Sequence, residues 1–122
     1  MSRLALLIAT FLLLVSCTQS LDIQLEPQVD VYFSDDSERR IPLTQENNEY
    51  GVLNEWLSEN NSNWRPTSGR YPGGIYVKSG EYGIQITKTD VILYSTTSYT
   101  PKAIYIQRID RGSLSGIRNI GK

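Results

Sequence analysis

Ile75-Tyr76-Val77-Lys78-Ser79-Gly80-Glu81-Tyr82-Gly83-Ile84-Gln85-Ile86-Thr87-Lys88-Thr89-Asp90-Val91-Ile92-Leu93-Tyr94 is the stretch that decides the fold. Three runs rich in β-branched and aromatic residues, Ile75 to Val77, Tyr82 to Ile86 and Val91 to Tyr94, read as strands. The connections between them, Lys78 to Glu81 and Thr87 to Asp90, are polar and too short for a crossover, so neighbouring strands must run antiparallel. Downstream of the Ser95 to Lys102 loop, Ala103-Ile104-Tyr105-Ile106 predicts a further strand. Beyond Ile109, glycines at 112, 116 and 121 predict a frayed or loosely docked tail.

Upstream, Ile23, Leu25, Val29, Val31 and Phe33 fall on odd positions, the period of a half-buried strand, with Pro27 marking an edge or break. Ser34-Asp35-Asp36-Ser37-Glu38 predicts a polar turn and Arg39 to Leu43 a returning strand. The carboxylates of this turn lack the spacing of a calcium loop, so the turn reads as a solvated hairpin tip. Thr44 is the expected N-cap of a helix whose apolar face carries Tyr50, Leu53, Trp56 and Leu57, with Val52 beside Trp56 at i, i+4. Asn60-Asn61-Ser62-Asn63 ends it, and Trp64 to Gly74, rich in Pro, Gly and Ser, reads as a loop. The expected architecture is α+β: one amphipathic helix packed on an antiparallel β-meander in a two-layer sandwich, forming a single domain over 22–122.

Stability must come from packing, because the sequence has one cysteine and therefore no internal disulfide. Eight tyrosines against two phenylalanines suit strands whose ring ends stay wet. Twelve basic and thirteen acidic residues leave a net charge of −1, but their distribution is uneven. Acids dominate from Asp22 to Glu59, where only Arg39 and Arg40 oppose them, and bases dominate from Arg65 onward. Either the second half presents a basic face to an anionic lipid, glycan or acidic partner, or the halves pack together with interleaved charges; the second is the simpler account.

The N-terminus carries a different message. A lone Arg3 precedes an apolar run from Leu4 to Val15, which falls short of the roughly 20 residues that span a bilayer and reads as a secretory signal. The ending Leu14-Val15-Ser16-Cys17 resembles the lipobox of bacterial lipoproteins. The resemblance implies a signal peptide over 1–16 and a Cys17 that becomes the acylated first residue, holding the domain on a membrane through a thioether-linked, palmitate-type lipid. Thr18, where an Asp would favour inner-membrane retention, points by the same resemblance to the outer membrane, with the domain facing the periplasm. The tether, residues 17–21, is short, and an extended chain of that length reaches only about 15 Å.

Chemistry is bounded by what the composition lacks. With no histidine, the usual general base and the commonest metal ligand are missing, and the lipobox resemblance implies that Cys17 is taken up by lipid. Ser-His-Asp, Cys-His, zinc and haem sites are therefore excluded in their common forms, and no cofactor or metal is expected. Paired carboxylates acting on glycan or peptidoglycan remain open in principle, but the acids lie in a turn and on the polar side of the helix, where solvation explains them. Gly69-Arg70-Tyr71-Pro72-Gly73-Gly74 lacks the Lys-Ser/Thr ending of a phosphate loop. Export and near-neutral charge argue against nucleic acid. Trp, Tyr and Arg are enriched in binding hot spots, so Trp64, Arg65, Arg70 and Tyr71 are the candidate contact surface, against the plainer reading that Trp64 and Tyr71 cover the helix end. The expectation is a non-catalytic binding or accessory lipoprotein with a protein partner in the envelope. The alternatives are an immunity lipoprotein that caps a periplasm-acting toxin, and a carboxylate enzyme acting on glycan.

Overall fold

The apolar runs become strands, and their alternation sorts side chains onto two faces. The computed structural model describes residues 20–36, 38–95, 102–110 and 112–120. The signal segment, Cys17, Thr18 and most of the Ser95 to Lys102 loop lie outside the described residues. Along the chain run β1 (Gln28–Phe33), β2 (Arg40–Thr44), α1 (Asn48–Glu59), β3 (Arg65–Pro66), β4 (Ile75–Ser79), β5 (Tyr82–Ile86), β6 (Asp90–Ser95), β7 (Lys102–Arg108) and α2 (Ser115–Arg118).

All seven strands join one antiparallel sheet in the order β2-β1-β4-β5-β6-β7-β3. Among the described residues the fold is thus sheet-rich, with two short helices. The meander β4 to β7 is the one expected from Ile75 to Ile106, and β1–β2 is the expected hairpin. Register then places β1 between β2 and β4, with Val31 opposite both Ile41 and Val77. Leaving β2 at one edge, the chain passes through α1 to β3 at the other edge and returns through residues 67–74 to β4 in the interior. Pro42 sits on the β2 edge strand opposite Asp30, where a proline is tolerated and discourages further pairing.

One sheet face supplies Val29, Val31, Ile75, Val77, Ile84, Ile86, Val91 and Leu93 to a buried cluster that also includes Tyr50, Leu53 and Leu57 of α1. Residues ahead of β1 are fixed by the same helix. The Tyr50 hydroxyl donates to the Glu26 carbonyl at 2.8 Å, and Asn54 Oδ1 accepts from Leu25 N–H at 3.4 Å. Ser79 Oγ on β4 accepts from Glu26 N–H at 2.8 Å. Ile23 to Glu26 therefore forms no strand, and pairing begins only past Pro27, where the sequence placed a break.

Three local expectations change. Thr44 does not cap α1, because its pairing with Gln28 keeps it in β2; Asn47 takes the cap position and turns its side chain back to accept from Thr44 N–H at 2.8 Å. The helix exit at Asn60 is not left-handed, with φ −114°, and is closed by its amide Nδ2 and its backbone N–H, both donating to the Trp56 carbonyl. The tail is docked as far as Ile120, since Leu114 and Ile117, three apart and so on one side of a turn, join the core at 6% and 1% exposure. Leu114 stands at φ 60°, a conformation costing a non-glycine residue about 1–2 kcal/mol, and burial of its side chain offsets that strain.

Deleting the Ile117 side chain beyond Cβ tests the docking of the tail. Ile117→Ala is expected to lower unfolding free energy in urea by about 2–5 kcal/mol, as for a core isoleucine. A loss below about 0.5 kcal/mol, the range of surface changes, would mean that the tail is loose.

Candidate functional site

Gln85 lies in the middle of β5 and is fully buried, on the sheet face opposite Ile84 and Ile86. A buried amide is tolerable only if its donors and acceptor are used. Its Nε2 donates to the carbonyls of Tyr71 at 2.6 Å and Gly73 at 2.8 Å, and its Oε1 accepts from the Tyr94 hydroxyl at 2.7 Å. The returning segment 67–74 is thereby laid across this second face. Thr67 N–H donates to the Ile104 carbonyl at 3.0 Å at one end, and the Thr67 and Tyr71 hydroxyls bond to each other. At the other end Gly74 has φ +76°, and a Cβ there would stand 2.1 Å from the Ile86 carbonyl oxygen, so no side chain fits.

Beyond the covered strip the face is aromatic and cationic. Register sets Tyr32 opposite Tyr76, Tyr76 opposite Gln85 and Gln85 opposite Ile92, so all four share it. The rings of Tyr76 and Tyr94 lie 6.3 Å apart at 59°. Ser68, Arg70, Tyr94, Lys102 and Ala103 line a cavity of about 430 Å³, within the roughly 300–1,000 Å³ range of small-molecule sites. Lys78 stands on the same face opposite Asp30 and Gly83, and Arg40 pairs with Asp30 at 3.9 Å. Burial raises the pKa of the Tyr94 hydroxyl above the usual phenol value, with Tyr76 and Tyr71 adding to the effect and Arg70 opposing it. Tyr94 is therefore a neutral donor at any physiological pH.

Of the four residues proposed from sequence, the structure brings two to this place. Arg70 is exposed at the cavity, and Tyr71 lies half-buried beside it with its carbonyl held by Gln85. Arg65 is exposed on the two-residue strand β3, paired with Ile106. Trp64 is fully buried, meeting Trp56 edge to face at 6.4 Å and 85°, so it is a core residue and offers no contact surface. Its position in the core follows from β3, which pins the chain to β7 directly after it and turns the ring inward; the Pro, Gly and Ser content of the segment concealed that strand. Sequence reasoning missed Tyr76, Tyr94 and Lys102. Their signal was the run Val91-Ile92-Leu93, which does not alternate and so requires something to cover the second face.

Chemically, the arrangement offers aromatic surface beside the Arg70 and Lys102 cations, with the Tyr94 and Tyr71 hydroxyls engaged by Gln85 and Thr67. Among the described residues no three His, Cys, Asp or Glu side chains are grouped to hold a metal ion. Glu49, Glu55 and Glu59 belong to α1, whose Tyr50, Leu53 and Leu57 join the core of the opposite sheet face. The two halves of the chain do meet in one sheet, at the β1–β4 pairing.

A raised folded-state pKa means that the unfolded chain releases the Tyr94 proton first as pH rises. Stability drawn from the neutral hydroxyl is complete below the ordinary value of 10.0 and is lost as pH climbs from there through the higher folded-state value. Urea midpoints at pH 8 and pH 11 are expected to fall further in the native sequence than in Tyr94→Phe. An equal fall in both would show that Tyr94 ionises as an ordinary phenol. No protein family, curated protein or solved structure matches this chain.

Proposed function

We propose that this protein is a lipid-anchored envelope lipoprotein that binds another envelope component without catalysing a reaction, using the face built from Arg70, Tyr71, Tyr76, Tyr94 and Lys102. The observation that carries the reading is a cavity lined by half-buried Tyr94 with Arg70 and Lys102, its Tyr94 ring 6.3 Å from that of Tyr76 on the same sheet face. Rings already held in place lose little freedom on binding, and Tyr and Arg contribute heavily to interface energy. The lipobox-like Leu14-Val15-Ser16-Cys17 supports the anchor at Cys17, and Thr18 the outer membrane. No helix among the described residues is long and apolar enough to cross a membrane.

The architecture is read here as a two-layer α+β arrangement, on the ground that Tyr50, Leu53 and Leu57 share a cluster with one sheet face. That leaves the opposite face for a partner. It also separates the acids of α1 from the tyrosine face, which favours an acidic or otherwise anionic partner surface and gives a carboxylate pair no place in the cavity. A toxin capped in the periplasm is one partner that fits.

Crosslinked pull-down of the full-length protein from its native envelope, followed by mass spectrometry, tests the proposal. One dominant partner is expected, its yield falling at least about tenfold in a Tyr94→Ala, Arg70→Ala double variant that removes two hot-spot side chains. A Cys17→Ser variant is expected to release the protein from the membrane fraction. Recovery of the same partner in undiminished yield from the double variant, or of none from the native protein, would contradict the reading.

A further inference from the structure

A second cavity, of about 280 Å³, lies at the end of the sheet where the β1–β2 hairpin, the start of β4, the β5–β6 turn and α2 come together. Its lining includes Phe33, Asp35, Arg39, Lys88, Arg118 and Asn119. Three cationic side chains from three distant segments thus converge against one carboxylate. Cations do not gather in this way without cost, since like charges repel. Arg39 is held with its guanidinium 4.8 Å from the centre of the Phe33 ring, which fixes one wall of the cavity. The Nε of Arg118 is buried with no hydrogen-bond partner, an arrangement that is ordinarily unfavourable. An arginine donor without an acceptor, next to two further cations and an open cavity, is what a site for an oxyanion requires. Gly74 forms part of the wall in backbone alone.

We propose that this cavity binds a phosphate-type oxyanion, with Lys88 and Arg118 as the principal charged groups and Arg39 beside them. The volume is at the small end for a ligand site and suits a phosphate group with little attached. The bound anion offsets the repulsion among the three cations. It also joins α2 to the hairpin and to the β5–β6 turn, so occupancy is expected to tighten the docked tail. This site shares no lining residue with the Tyr94 cavity and does not depend on it.

The test is an NMR or calorimetric titration of the full chain, in neutral detergent at constant ionic strength, with inorganic phosphate and separately with glycerophosphoglycerol, the headgroup diester of phosphatidylglycerol. Saturable binding is expected, with shifts confined to residues 33–39, 74–75, 88 and 118–119. Lys88→Gln, a change at an exposed turn residue that leaves the core intact, is expected to weaken it about tenfold, the loss of one charge-assisted bond. Arg65→Gln, at the distant β3 edge, is expected to leave it unchanged. Saturation by phosphate alone assigns a free phosphate or a monoester, and saturation by the diester assigns a phospholipid headgroup; each sustains the site. No saturable binding of either probe, or equal affinity in Lys88→Gln and the native chain, would overturn it.

Discussion

One side-chain amide holds the second face of the sheet together. The chain must return from β3, at one edge, to β4 in the interior, and the segment that does so lies over strands whose own backbone groups are already paired. Without the Tyr71 and Gly73 carbonyls of that segment, the fully buried Gln85 amide would keep unsatisfied donors, at a cost of about 1–3 kcal/mol. Gln85 removes that cost by donating to both, and its oxygen accepts from Tyr94. The side chain that fixes the loop thereby also fixes the ring that borders the cavity. Arg70, one residue before the bonded Tyr71, is carried to that cavity by the same bonds.

The division of labour between the two faces follows from this crossing. One face gives its branched aliphatic side chains to the core shared with α1, and the charged residues of that helix remain outside. On the other face the loop is bonded to Gln85 and to the Ile104 carbonyl, Ile92 is fully buried, and Tyr32, Tyr76 and Tyr94 are half-exposed. Partly exposed rings held in place, that of Tyr94 by its hydroxyl bond to Gln85, offer apolar contact area, which suits association more than catalysis. At the sheet's end, the same returning segment contributes Gly74 to the cavity that gathers Arg39, Lys88 and Arg118. Both proposed sites thus border a single irregular segment held in place by strand β5 and its flanks, as binding residues often are when loops rest on a rigid scaffold.

Much of the meander was legible because short polar connections between apolar runs leave few alternatives, and the β1–β2 hairpin was legible for the same reason. The insertion of β1 between β2 and β4 was not, since alternation shows which residues share a face and nothing about which strands are neighbours. Strand β3 was hidden because two residues, one of them proline, carry no period. The docked tail was hidden behind its glycines, although Leu114 and Ile117 stand three apart. One signal was present and went unused: Val91-Ile92-Leu93 has no alternation, as expected of a strand covered on both faces. Read that way, it calls for a cover over Ile92 and directs attention to residues 67–74. Composition singled out Trp64, Arg65, Arg70 and Tyr71 alike, because it does not distinguish an aromatic that faces a partner from one that faces the core; the burial of Trp64 against Trp56 agrees with the plainer reading that it covers the helix end.

The central claim is that the Tyr76–Tyr94 face, and not the outer side of α1, meets the partner. Site-specific photo-crosslinking in the native envelope addresses it directly, with a photoreactive residue placed at Tyr76 in one protein and at Val52, 43% exposed on α1, in another. The account predicts a discrete crosslinked product from position 76 and none from position 52. A discrete product from position 52, with none from position 76, would contradict it.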